Sequence, residues 1–114
     1  MAAGAASLVG IAAACAHAFL SEAVPTVGGV VATPPREIRI TFTEGIEPAF
    51  SGIDLADAAG RPVSTAPARV DPGNNTQLVL PLPPLAAGRY RVSWHVVSVD
   101  THRTEGQYGF EIKP

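Results

Sequence analysis

Leu85-Ala86-Ala87-Gly88-Arg89-Tyr90-Arg91-Val92-Ser93-Trp94-His95-Val96-Val97 is the stretch that decides the fold. From Tyr90 onward the apolar side chains fall on alternate positions, Tyr90, Val92, Trp94 and Val96, with polar residues between them. A period of two belongs to a β-strand with one buried face. Trp94 sits in the middle of that face and reads as the centre of a core. The sharper alternative, a ring that stacks on a cofactor, is outweighed by its place in the alternation.

The same period recurs on both sides. Glu37 to Thr43 alternates, with Ile38, Ile40 and Phe42 on one face, and Gly52 to Leu55 places Ile53 and Leu55 together. Gln77 to Leu82 carries Leu78, Leu80 and Leu82, and Tyr108, Phe110 and Ile112 close the chain. Turn signals separate these runs. Ala58 to Pro62, with Gly60, reads as a tight turn with a strand starting at Val63, and Asp71-Pro72-Gly73-Asn74-Asn75 is a strong turn sequence. Asn74-Asn75-Thr76 also matches a glycosylation acceptor, but turn chemistry accounts for it. No helical period appears after residue 17. Six or seven strands over about 100 residues fit an all-β, immunoglobulin-like sandwich or Greek-key barrel of about seven strands. Leu85, Gly88 and Tyr90 resemble the tyrosine corner of such sandwiches, in which the hydroxyl ties back to backbone just upstream.

With 114 residues the chain is one domain's length. Its 46% apolar content suffices for a modest core, and 11 Gly with 11 Pro suit many short segments joined by turns. A net charge of -2, with eight scattered Lys and Arg, provides no basic patch for nucleic acid or anionic membrane. One cysteine, Cys15, excludes an internal disulfide.

Residues 1–16 differ from the rest: they carry no charge and are dominated by Ala, Gly, Leu, Val and Ile. The stretch is shorter than the roughly 20 residues of a membrane span and ends in Ala14-Cys15-Ala16, a signal-peptidase pattern. Residues 1–16 are therefore read as a signal peptide and 17–114 as the mature domain, although no Lys or Arg precedes the apolar run. A retained anchor, a buried helix, or lipidation of Cys15 through a lipobox-like Ala12-Ala13-Ala14-Cys15 are the alternatives.

Cleavage after Ala16 exposes His17 as the first residue. Its α-amine and Nδ1 can close a six-membered chelate ring on one metal ion, an arrangement suited to Cu(II) first and Ni(II) second. The candidate partner is Ser98-Val99-Asp100-Thr101-His102. Asp100 and His102 are two apart, so an extended backbone points both the same way, at the end of the Trp94 strand. Together His17, Asp100 and His102 offer three nitrogens and a carboxylate oxygen, a set for tetragonal Cu(II) without the thiolates of structural zinc sites. The plainer readings are a frayed terminus and a polar loop. His95, opposite in parity to Trp94, is expected on the surface and not at the metal.

His17-Ala18, Pro25, Pro35, Ile38-x-Ile40-x-Phe42-x-Glu44 and Phe50-Ser51-Gly52 resemble the CopC copper-resistance proteins. So does Gly88-x-Tyr90-x-Val92-x-Trp94-x-Val96-Val97-Ser98-x-Asp100-x-His102, followed by Gly106 and Phe110. The resemblance spans nearly all of the mature chain. It implies a periplasmic β-domain that binds Cu(II) through His17, Asp100 and His102, with Glu44 at an acidic position beside the site. It also implies a possible partner, a membrane copper importer of the CopD type, and a monomer is expected. Two departures stand out. Thr101 replaces the family's usual Gly, and the only Met is Met1, so the Met-rich Cu(I) stretch of many members is missing and no Cu(I) site is expected.

Two other function classes remain: a copper-dependent oxidative enzyme, since an N-terminal His also chelates copper in polysaccharide-cleaving enzymes, and a metal-free interaction module. The chain has no catalytic triad, Gly-rich phosphate loop or CxxC for other chemistry.

Overall fold

In the computed structural model, which describes residues 18–114, eight strands form two facing four-stranded sheets. In chain order they are β1 (Leu20–Val24), β2 (Val30–Val31), β3 (Glu37–Phe42), β4 (Gly52–Asp57), β5 (Arg69–Asp71), β6 (Asn74–Pro81), β7 (Gly88–Val97) and β8 (Arg103–Ile112). One sheet runs β1-β3-β6-β5 and the other β2-β8-β7-β4. One single-turn 3-10 helix, Pro48–Phe50, precedes β4. The all-β, two-sheet sandwich expected from the alternating runs is the fold observed.

Every alternating face identified in the sequence turns inward. Ile38, Ile40, Phe42, Leu78 and Leu80 of the first sheet meet Ile53, Leu55, Val92, Val96 and Ile112 of the second, all buried. Trp94 packs edge-on against Phe42, with ring centroids 5.1 Å apart, which makes it a core residue. Such edge-to-face pairs add to the burial of their area because the electropositive ring edge meets the partner's π-face. The tyrosine corner is present: the Tyr90 hydroxyl donates to the Ala86 carbonyl at 2.7 Å. Tyr90 also stacks on Phe110 at 5.6 Å.

The turns follow their sequence. Asp71 pairs with Asn74 across Pro72-Gly73, and its Oδ1 accepts from the Gly73 amide at 2.8 Å. Thr76 donates its hydroxyl to Asn74 Oδ1 at 2.6 Å, so the Asn-Asn-Thr run is used as turn chemistry. One expectation needs correction. No strand starts at Val63; the Pro62–Val63 stretch instead lies along β4 as a strap, with Val63 donating to the Leu55 carbonyl at 2.8 Å and Pro62 bridging to Ala56. Pro62 and Pro67 lack an amide hydrogen, so this stretch cannot sustain a ladder, and β5 begins only at Arg69. Two strands were not expected at all. β1 buries only Ala23, and β2 is two residues paired parallel to β8, so neither shows a readable alternation.

Candidate metal centre

β7 and β8 form a ten-pair antiparallel ladder from Gly88–Ile112 to Val97–Arg103. The connection that joins them, Ser98 to His102, lies at one end of the sandwich. Ser98 continues the inward parity of Trp94 and Val96 and is fully buried. A buried hydroxyl must find partners, and this one serves as the hub of the turn. It donates to Asp100 Oδ1, while the His102 amide donates to the Ser98 hydroxyl oxygen at 3.3 Å. The backbone closes around it: Ser98 N donates to the His102 carbonyl at 2.9 Å, and Thr101 N to the Ser98 carbonyl at 2.8 Å.

Asp100 and His102 are brought together, with His102 Nδ1 3.3 Å from Asp100 Oδ1. The extended-backbone reason for expecting this was wrong. Residues 99–101 form a turn, and Thr101 takes a left-handed backbone with φ of 75°. Left-handed backbone costs an L-residue roughly 1–2 kcal/mol, more awkwardly for a β-branched one. Position 101 is thus occupied by a β-branched residue that bears the cost of the conformation and still adopts it. The Ser98 hydroxyl is the largest influence on Asp100 and holds its carboxyl below the ordinary value; partial burial opposes this, and His102 adds to the lowering. Asp100 is therefore an anion at neutral pH. With side chains 38% and 51% exposed, Asp100 and His102 remain accessible from solvent.

Two further segments converge on this end. Val99 N donates to the Gly45 carbonyl at 3.0 Å, and Ile46 bridges to Ser98, so the stretch following β3 is stitched to the turn. Glu44 heads that stretch. Its Oε2 is buried and has no hydrogen-bond partner among the described residues. A buried carboxylate oxygen without a donor is costly and is the kind of atom that a cation or protonated group satisfies. The second segment is Ala18-Phe19. Ala18 is fully buried, and its carbonyl accepts from the Thr104 hydroxyl at 2.6 Å. Phe19 is paired with Thr43 in both directions, N to Oγ1 at 2.9 Å and Thr43 N to the Phe19 carbonyl at 2.8 Å.

His17 lies outside the described residues. Among the described residues no three His, Cys, Asp or Glu side chains converge as a metal site. The donors assembled are an imidazole and an ionised carboxylate, hard-to-borderline groups with no thioether or thiolate beside them in the turn. His95 is half-buried on the opposite, outward side of its strand, over Gly52, where a Cβ would come within 2.9 Å of the imidazole. It takes no part in the turn, as its parity implies. Sequence reasoning gave no role to Ser98 or Thr104. The parity of Ser98 after Val96 was the available signal, whereas the bond from Thr104 to Ala18 spans 86 residues and has none.

The chain is thus a small β-sandwich whose central core strand ends in an accessible Asp–His pair. The family model described as the CopC domain matches residues 20–113, and the chain belongs to the CopC family of copper resistance proteins, which bind copper and are not enzymes. Protein YobA of Escherichia coli K12 is 39% identical over 99 residues, covering 86% of this chain and 80% of YobA. The crystal structure of CopC from Methylosinus trichosporium OB3b is similar with a TM-score of 0.81 and 37% identity, covering 86% of this chain and 95% of that one. PcoC of Escherichia coli, described as a methionine-rich copper resistance protein, matches with a TM-score of 0.76 and 34% identity, covering 85% and 99%. Copper transport protein CutJ of Bacillus subtilis is 28% identical over 98 residues, which are 85% of this chain but 18% of CutJ. A relative of this domain is therefore one part of a much longer chain there.

Proposed function

We propose that this protein binds one Cu(II) ion in the periplasm, through His17 as the N-terminal residue together with Asp100 and His102, and buffers it or delivers it to a membrane importer. CopC-family proteins are periplasmic, which supports removal of residues 1–16 and a chain that starts at His17. The observation that carries the reading is the meeting of three segments. Asp100 and His102 sit in one turn, Glu44 begins the stretch stitched to that turn, and Ala18, the residue after His17, is fixed in the core by Thr104. Consecutive Cα atoms are about 3.8 Å apart, so little chain separates that anchor from the amine.

In this reading the α-amine and imidazole of His17 and the imidazole of His102 supply nitrogen, and Asp100 supplies the carboxylate. Glu44 stands beside them as a charge partner. Cu(II), when bound, acts as cargo and undergoes no chemistry here. The chain after residue 16 contains no Met or Cys, so no soft thioether or thiolate is offered to Cu(I).

The test is a Cu(II) titration with electron paramagnetic resonance on protein beginning at His17. One tetragonal site with nitrogen couplings is expected, lost when a single Gly is added ahead of His17. Equal binding by the extended protein, or no saturable site, would refute the N-terminal chelate.

A further inference from the structure

Ala18-Phe19 is tied to both sheets before β1 begins. On one side Thr43, which follows β3 in the first sheet, accepts from the Phe19 amide through its hydroxyl oxygen at 2.9 Å and donates its own amide to the Phe19 carbonyl at 2.8 Å. These bonds continue the β1–β3 ladder, in which Leu20 pairs with Phe42. The bond on the other side belongs to no ladder. Thr104, the second residue of β8 in the facing sheet, donates its hydroxyl to the Ala18 carbonyl at 2.6 Å. Thr104 pairs with Val96, which is fully buried, so it stands in the inward row of its strand. Chain ends fray unless something ties them down. Here Ala18 is fully buried and a side chain from the opposite sheet grips its carbonyl.

The position of that grip matters for the metal donors. Thr104 follows His102 by two residues, and extended backbone advances about 3.3 Å per residue, so hydroxyl and imidazole leave the same short run of chain. Ala18 follows His17 by one residue, about 3.8 Å between Cα atoms. One hydrogen bond therefore joins the neighbour of the N-terminal chelate to the run that carries His102. Beyond the Ala18 carbonyl, only the soft torsions that flank one planar peptide separate the anchor from the amine.

We infer that Thr104 is a positioning residue for metal capture: by holding the Ala18 carbonyl, its hydroxyl fixes the point from which the first residue of the mature chain reaches toward His102. This deepens the copper reading and rests on it for the donor set. Thr104 itself supplies no donor to the ion. A free terminus must be ordered each time an ion binds, whereas a held one has already lost that freedom, and such preorganisation is felt mainly in the rate of release. A hydroxyl that only satisfied a buried carbonyl would stabilise the fold and leave the bound ion indifferent.

The experiment compares wild type, Thr104→Val and Thr104→Ser, each beginning at His17 and each made again with a single Gly ahead of His17. Val keeps the branched shape without the donor, and Ser keeps the donor. Cu(II) affinity is read by competition with a chromogenic chelator, and release by stopped-flow transfer to excess EDTA. The order of Ala18 is read from the heteronuclear Overhauser effect of its amide in the metal-free chains. In Thr104→Val the Ala18 amide becomes mobile and copper binds about tenfold more weakly, with most of the change in faster release; Thr104→Ser restores all three. In the Gly-extended chains, where the amine is displaced, Val and wild type bind alike because no chelate is left to position. Unchanged affinity in Thr104→Val, an Ala18 that stays rigid there, or a loss that Ser does not rescue overturns the proposal. So does an equal loss in the extended chains, which would mark general damage to the fold. If no chain binds copper at a saturable site, the copper reading falls and takes the positioning role with it, a result distinct from a wild type that binds and a Val variant that matches it.

Discussion

Thr101 shows what an argument from alternation does not carry: the backbone between Asp100 and His102 is a turn with a left-handed residue in it. Asp100 and His102 were legible as a pair because they are two apart, but an ideal strand was the wrong device. The turn places them, held by Ser98 beneath and by a left-handed Thr101 between. Gly ordinarily costs about 0.5–1 kcal/mol relative to Ala, through backbone entropy. At position 101 the order should invert, with Thr101→Gly more stable than Thr101→Ala by about 1 kcal/mol, since only Gly escapes the left-handed penalty. Urea unfolding of both variants decides it, and Ala equal to or above Gly would contradict the backbone reading. Ser98→Ala tests the hub. Without the hydroxyl, the Asp100 carboxyl should rise toward its ordinary value. Copper affinity should then fall more at pH 5 than at pH 7, because protons compete better for the ligand. Competition titrations at the two pH values would expose a uniform loss, which would point to a collapsed turn instead.

Among the elements, β3, β4, β6, β7 and β8 were legible because each buries one face against the other sheet. β1, β2 and β5 were not. β1 buries only one of its five residues, and β2 and β5, with two and three residues, leave no period to read. The packing of β8 on β7 makes two demands that differ in sign. Gly106 faces Trp94, and a Cβ there would lie 2.6 Å from Cζ2. Since an indole in a packed core cannot give way freely, Gly106→Ala should destabilise by about 1–3 kcal/mol and disturb the near-ultraviolet signal of Trp94. Tyr108, two residues on, is the reverse case. Its hydroxyl is buried with no hydrogen-bond partner among the described residues, and burial pushes the phenol up to about 12. An unsatisfied buried hydroxyl costs roughly 1–3 kcal/mol, so Tyr108→Phe should match or exceed the wild type in thermal unfolding. A clear loss of stability would mean that the hydroxyl has a partner.

For the molecule as a whole, the carboxylates set the response to acid. Asp71 is held below its ordinary value first by the side-chain bond from Arg39, at 2.7 Å. Asp57 is held down first by the Arg61 amide, at 2.9 Å. A depressed carboxyl means that the unfolded chain binds more protons than the folded one through this range. The stability these groups contribute is complete above the unfolded value of 3.8 and is lost as pH falls through their lower folded values. Melting temperature should therefore be flat near neutrality and drop below about pH 4, with a shallower drop in Asp71→Asn. A midpoint that stays level into strong acid would remove these pairs from the account. The sandwich and its core were readable at this scale, since alternation alone requires two facing sheets. What was not readable is that Ala18 and Thr104 are joined, because only the closed fold brings residues 86 positions apart into contact.

The strap along β4 has a consequence of another kind. An open sheet margin is a template on which a second chain can add a strand, and secreted β-proteins must blunt it to avoid fibres. Here the Pro62–Val63 stretch occupies the amide-bearing side of β4, β2 and β5 are two and three residues long, and β1 shifts register between Leu20 and Glu22. All four margins are guarded by brevity, irregularity or cover. The sandwich thus offers no long, regular margin on which a second copy could add a strand and template aggregation.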